Sequence, residues 1–239
     1  MFTETAELYD AFYEWKGYLA EAEKLHELVE ARALGARTLL DVACGTGRHL
    51  EHLRAWYDVE GVDLDDALLV VARRRLPGVR LEVADMRELD LGRRFDVVTC
   101  LFSSIGYVKS SEALRSSVAA MARHLAPGGL LVVEPWLTPS TFDPNFPSRA
   151  VLVETPELVG VRMNDSRVQG GMSVMDFHCL IARPGQPVEH LVETHTLGLF
   201  TDDEYRAAFA GAALGVEHDA DGLMGRGLWI GRRSAGREP

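Results

Sequence analysis

The chain reads as a Rossmann-like α/β domain, a seven-stranded and mostly parallel sheet with an antiparallel sheet inserted after its fifth strand. Apolar strand-like runs alternate with helical stretches up to Trp136, the rhythm that right-handed βαβ units produce. The first of these runs, Leu39 to Val42, leads into a glycine turn, Cys44-Gly45-Thr46-Gly47, that opens a helix. After Trp136 the alternation stops. Prolines and four strand-like runs follow, as in an antiparallel layer.

Taken in order, the pattern from Leu19 to Ala33 places Ala22, Leu25, Leu28 and Val29 on one helical stripe and stops near Gly35. Strands are predicted at Thr38 to Val42, Val59 to Val62, Val79 to Ala84, Phe95 to Leu101 and Leu130 to Glu134, with helices near Arg48, Ala67 and Glu112. The insert holds Val151 to Glu154, Val159 to Asn164, Ser173 to Ile181 and Val188 to Leu199, with Arg183-Pro-Gly-Gln186 as a hairpin turn. Thr201 caps a helix from Asp202 to Ala212. Gly215 to His218 and Leu228 to Gly231 then close the sheet as a hairpin, and residues 232–239 are expected to fray. The predicted units are residues 1–136, residues 137–200 and residues 201–239. An insert leaving the fifth strand emerges on the same edge as the glycine turn, so it is placed to roof a site there.

A net charge of -11 argues against nucleic acid as the main partner, which requires a basic footprint. Apolar runs stay short of the ~20 residues that span a bilayer, and Met1 to Asp10 lacks a leader pattern, so a cytoplasmic enzyme is expected. Cys44, Cys100 and Cys179 have neither metal-site spacing nor an even number, and suit a reducing compartment. No metal is expected. His49 and His52 share a helix face without a third ligand and are read as solvated or capping, while His178, His190 and His195 are read either as sheet residues of the insert or, two of them sharing a face, as a pair turned to a pocket.

Gly45 and Gly47 lack a Cβ, so a ligand can lie against bare main chain in front of the helix N–H groups. A dinucleotide fingerprint needs a third glycine where Leu50 stands, so NAD is not the expected ligand. At the next strand end, Asp63 is placed to accept hydrogen bonds from ribose hydroxyls. One strand further on, Asp85 offers an acceptor for an adenine amino group and Met86 an apolar side chain for its ring. Ala43, Leu64 and Phe102 flank these strand ends and join the same expected cofactor site.

Asp41 to Gly47, Asp63, Ala84-Asp85-Met86-Arg87 and Leu125 to Glu134 together resemble the class I S-adenosylmethionine (SAM) dependent methyltransferases. Phe102-Ser-Ser-Ile-Gly-Tyr107, Val133-Glu-Pro-Trp136 and Gly225-Arg-Gly-Leu228 extend the likeness to the TDP-amino-sugar N,N-dimethyltransferases of macrolide antibiotic biosynthesis, over nearly the whole chain. The resemblance implies SAM as cofactor and N-methylation of a nucleotide-linked amino sugar. Two segments depart from that subgroup: Glu14-Trp-Lys-Gly-Tyr18 replaces a Gly-Arg-Gly-Lys-Asp-Tyr type run, and Pro135-Trp136-Leu137 replaces Pro-Trp-Trp. An O- or N-methyltransferase of another small metabolite, or a non-catalytic SAM-binding protein, therefore stays open at this point.

The resemblance implies that Tyr107 lies near an acceptor amine, where it either hydrogen-bonds or relays a proton, or only walls the pocket. It likewise implies that Tyr9 reaches the SAM carboxylate; on residue type alone, Tyr9 and Tyr13 are equally packing aromatics, and Tyr13 is assigned to the substrate side. Arg226, flanked by glycines, is either a bidentate grip on a diphosphate or an exposed turn arginine. Lys16 and Arg149 are weaker candidates for that grip. Trp136 is read as a sugar- or base-facing wall or as a plug of the sheet top, Glu134 as orienting a polar substrate group, and Ser103 and Ser104 as substrate hydrogen-bonders or turn residues. Edges of the insert are expected to pair two copies into a homodimer.

Overall fold

The computed structural model describes residues 6–145 and 150–235. Strands β1 (Thr38–Val42), β2 (Asp58–Asp63), β3 (Arg80–Val83), β4 (Phe95–Cys100), β5 (Leu125–Val133), β10 (Leu214–Asp219) and β11 (Leu228–Arg233) form one sheet in the order β10-β11-β5-β4-β1-β2-β3. The pairs β1–β2, β2–β3, β1–β4 and β4–β5 are parallel, while β11 joins β5 and β10 antiparallel. From β1 the chain winds outward through β2 and β3, then returns to the other side of β1 at β4. Strand order thus reverses between β1 and β4, and a crevice opens at their carboxyl ends, where ligands of such sheets bind.

Successive residues of β1 point to opposite faces, which is why one strand feeds two cores. Leu40 and Val42 pack with Leu114, Val118 and Met121 of α5 (Ser111–Arg123) and Phe209 of α6 (Asp202–Gly211). Leu39 packs on the other face with Leu25 and Val29 of α2 (Tyr18–Arg32), Leu50 of α3 (Arg48–Leu53) and Leu69 of α4 (Asp66–Arg75). All four residues of the predicted α2 stripe are buried there. Helix starts are fixed locally: Asp65 caps α4, Ser110 caps α5, and Thr201 forms a capping box with Glu204 at α6.

The second sheet is an antiparallel meander of β6 (Val151–Glu154), β7 (Val159–Gln169), β8 (Met172–Ala182) and β9 (Glu189–Gly198). Its β7 runs five residues beyond the predicted end at Asn164, because Gly170 and Gly171, at φ 58° and 75°, close a two-residue hairpin to β8. That turn signal, Gly170-Gly171, lies in the sequence after the polar run Asn164 to Gln169. Phe12 of α1 (Ala6–Phe12) packs under this sheet with Cys179 and Ile181. The expected fraying of residues 232–239 is corrected at Arg232 and Arg233, and residues 236–239 lie outside the described residues. Arg232 and Arg233 belong to β11, and Arg233 donates to the carbonyls of Ala122 and Leu125 at 3.2 and 3.0 Å.

Among the described residues no helix is long and apolar enough to cross a membrane, and no group of three or more His, Cys, Asp or Glu side chains is arranged for a metal ion.

Candidate active site

Backbone in the left-handed region gathers at the crevice. Ala43 (φ 61°) ends β1, and Phe102 (φ 50°) and Ser103 (φ 60°) follow β4, a conformation that costs about 1 to 3 kcal/mol at a non-glycine residue. The surroundings hold them there. Glu134 accepts the Phe102 N–H at 2.6 Å, and the Ser103 hydroxyl donates to the Pro135 carbonyl at 2.7 Å. Between these strand ends, Gly45 has φ 56°, and a Cβ added to it would meet nothing within 4 Å, so the turn is open on its ligand side.

Asp63 lies beside the turn, 6% exposed, its two oxygens accepting the N–H groups of Gly45 and Asp65, each at 2.8 Å. Burial raises its pKa, and these main-chain donors oppose the rise. Each carboxylate oxygen has a second lone pair, so the ties fix Asp63 without using up its capacity to accept from a ribose. Leu64 next to it is 48% exposed, Met86 is half-buried, and Asp85 is paired with Arg87. Asp41 lies deeper, 2% exposed, with Thr99 Oγ1 donating to it at 2.7 Å, and burial pushes its carboxyl up to about 7.

A small cavity at the turn is lined by Tyr9, Ala43, Gly45, Phe102 and Ser104 of the expected site, and also by Tyr18 and Arg48. The Tyr18 hydroxyl and Arg48 Nε are buried and have no hydrogen-bond partner among the described residues. The guanidinium carbon of Arg48 sits 5.0 Å from the centroid of the Tyr18 ring. A cation and a phenol left unpaired against exposed turn backbone suit a carboxylate, since an unpaired buried polar group is unfavourable until a ligand completes it. The donor set therefore fits the amino-acid end of SAM, with Asp63 at the ribose end. Neither Tyr18 nor Arg48 stood out in the sequence; an arginine directly after Gly47, at the first position of a helix, was the available signal.

The N-terminal segment is strapped across the turn. Thr46 Oγ1 donates to Asp10 at 2.6 Å, and Arg75 bonds both Asp10 and the Thr46 carbonyl. Tyr9 on α1 and Tyr13 just after it lie 4.7 Å apart between ring centroids, with the Tyr13 ring edge-on to Phe102 at 5.1 Å. Burial raises both tyrosine pKa values, so both stay neutral phenols.

A larger cavity of about 920 Å³ adjoins the first, sharing Tyr9, Phe102 and Ser104, with walls from α1, the β4 end, Trp136 and the inner face of the second sheet. Arg226 is not an exposed turn side chain as one reading had it. It folds inward, donates to Ser103 Oγ at 2.8 Å and stacks 4.8 Å from the Trp136 centroid, and burial lowers its pKa. Ser103 is correspondingly 1% exposed, with its hydroxyl engaged by Arg226 and Pro135. Trp136 lines the cavity and donates to Ser173 at 2.8 Å. Tyr107 faces the cavity with its hydroxyl 2.7 Å from His195 Nδ1.

Several other expectations are corrected. Lys16 is no anion grip: it is 4% exposed and paired with Glu21, which also bonds His49 at 2.9 Å. His49 is accordingly buried rather than solvated. Glu134 is fully buried as a brace for Phe102 and does not line either cavity. Arg149 lies outside the described residues.

The charged cavity residue Arg162 gave no signal in the sequence. Arg162 on β7 is 9% exposed, held between the rings of Phe12, Tyr13 and Phe177 at 5.0, 4.6 and 4.9 Å. Gly160, Arg162 and Asn164 share one strand face, which reads locally as solvent-facing.

A methyltransferase-domain family profile matches residues 39–129. The chain is 44% identical to dTDP-3-amino-3,4,6-trideoxy-alpha-D-glucopyranose N,N-dimethyltransferase of Streptomyces venezuelae, over 95% of this chain and 96% of that one. It is 42% identical to dTDP-3-amino-3,6-dideoxy-alpha-D-glucopyranose N,N-dimethyltransferase of Streptomyces fradiae, over 95% and 90%. Among solved structures it superposes on Streptomyces venezuelae DesVI with a TM-score of 0.90 at 42% identity, covering 96% and 98% of the two chains. SAM-bound CalS10, an amino pentose methyltransferase from Micromonospora echinaspora, gives 0.86 at 39% identity, covering 95% and 97%. The chain belongs to the SAM-dependent methyltransferases, in the family that holds these sugar N,N-dimethyltransferases.

Proposed function

We propose that this enzyme transfers methyl groups from SAM to the amino group of a TDP-linked amino deoxysugar. The observation that carries the reading is the larger cavity: in a chain of net charge -11, its walls, among the described residues, present two guanidiniums, Arg162 and Arg226, and a single carboxylate, Asp143. Such a wall selects an anionic substrate, and Trp136 and Phe102 beside Arg226 offer ring faces for a base or sugar. The 39–44% identical relatives whose names or titles specify amino-sugar substrates support it.

When bound, SAM supplies an electrophilic methyl carried on a sulfonium. The work of this chain is then alignment: holding an acceptor lone pair about 3 Å from that carbon, which can supply ~7 kcal/mol or more of the barrier. Asp63, Tyr18 and Arg48 fix one partner, while Arg226 and Arg162 fix the other by its anionic end. Ser104, Tyr13 and Tyr107 line the space between, and the second sheet acts as a roof that keeps water out.

Incubation of the purified protein with SAM and a panel of TDP-amino sugars tests this by mass spectrometry. Gains of one or two methyls on a panel member are expected. SAM binding without product from any member would overturn the substrate assignment.

A further inference from the structure

Tyr107 is not an isolated phenol. Its hydroxyl lies 2.7 Å from Nδ1 of His195, which is 1% exposed, and Nε2 of the same ring lies 3.9 Å from a carboxylate oxygen of Glu193, itself 9% exposed. The three residues come from two elements that touch: Tyr107 from the single 3-10 turn after β4, and the other two from one face of β9. A line therefore runs from the cavity wall through a hydroxyl and an imidazole to a buried carboxylate.

We infer that His195, oriented by Glu193, is a positioning residue that draws the Tyr107 hydroxyl proton and so lets Tyr107 accept a proton from the substrate ammonium. This rests on the amine-acceptor reading above. Glu193 lies within ion-pair but not hydrogen-bond distance of Nε2, and its negative charge favours a proton on that nitrogen. Nδ1 then accepts, so the Tyr107 O–H points at His195 and its oxygen lone pairs are turned to the cavity. The balance is simple. An ammonium N–H bond breaks as an O–H bond forms on Tyr107, the original Tyr107 O–H breaks as Nδ1–H forms, and the amine is left neutral beside an imidazolium–carboxylate pair. Each methyl transfer to a neutral amine regenerates an ammonium, so a second transfer needs the same step again, once the imidazolium has returned its proton through the Tyr107 hydroxyl to water in the cavity during cofactor exchange.

Raising an isolated phenol to a base in this cavity is unfavourable. Burial pushes the Tyr107 pKa well up, with Tyr13, Glu193 and Asp63 adding to it, so a tyrosinate is not the working form. A concerted shuttle avoids that charge. The groups facing the line are Glu193 on β9, Tyr107 on the turn and Tyr13 just after α1; on β8, Phe177 packs 4.7 Å from His195 and separates it from Arg162 of β7.

The test has two arms. In ligand-free protein carrying ¹⁵N-histidine, His195 is expected as the Nε2–H tautomer with an accepting Nδ1; a proton on Nδ1 at neutral pH overturns the inference whatever the substrate proves to be. In turnover, His195→Asn and Tyr107→Phe are each expected to lower kcat about 100-fold at pH 7. The gap should narrow as pH rises toward 9.5, where amines arrive neutral, with SAM affinity unchanged. A pH-independent loss, or no loss, overturns it. If wild type methylates no TDP-amino sugar, the substrate reading fails while the tautomer arm still decides the inference. Tyr107→Phe decides the turnover arm should His195→Asn not fold.

Discussion

The Arg226 guanidinium and the Ser103 hydroxyl meet at 2.8 Å, joining the closing hairpin to the β4 end across 123 residues of sequence. Because Ser103 also donates to Pro135, the pair sets Arg226 at a fixed angle over Trp136. Arg226→Ala is expected to raise the KM for a TDP-amino sugar tenfold or more and to leave the SAM Kd within about twofold. Steady-state kinetics and calorimetry check both, and an unchanged KM would remove Arg226 from the substrate site.

Arg48 Nε has no partner among the described residues, so Arg48→Met should disturb the fold little. Loss of a charged hydrogen bond to the SAM carboxylate should weaken SAM binding roughly 10- to 100-fold. Titration calorimetry with SAM measures it. Equal affinity for both proteins would place the carboxylate elsewhere.

Asp41 makes stability depend on pH. Its carboxyl is pushed up to about 7 by burial, against about 3.9 for an unfolded chain. Between those values the folded chain holds a proton that the unfolded chain has released, so this group's contribution to stability falls as pH rises from about 4 to about 7 and is level above. Asp41→Asn keeps an acceptor for Thr99 and removes the titration. Its Tm should decline less than that of wild type over the same window; parallel curves would refute the assignment.

Thr201→Ala breaks the capping box of α6, away from both cavities. Denaturant melts should show a loss of about 1 kcal/mol with kcat unchanged. A matching loss of activity would tie α6 to catalysis.

Much of the fold was legible because its causes are local. Leu39 and Leu40 alternate across β1, Ala22 to Val29 form a stripe at helical spacing, and Thr201 stands three residues before Glu204; each pattern is decided within a few residues. The glycine turn and Asp63 were legible for the same reason, since a strand, a reversal and an acid at the next strand end are short-range signals.

Arg162 and Arg48 were not, each being an ordinary residue of a strand or helix in the sequence, and His195 was legible only as one of three insert histidines, two of which could share a face. Alternation shows that Gly160, Arg162 and Asn164 share a face but not whether that face meets water or Phe12, Tyr13 and Phe177. The residue pattern alone dictates the wound parallel sheet and the glycine turn with an acid at the next strand end, because backbone conformation and periodicity follow from neighbouring residues. Only the tertiary structure decided the acceptor end. There the second sheet turns one face onto the 3-10 turn and brings His195 to Tyr107 from 88 residues away, a pairing that depends on how layers stack rather than on any local pattern.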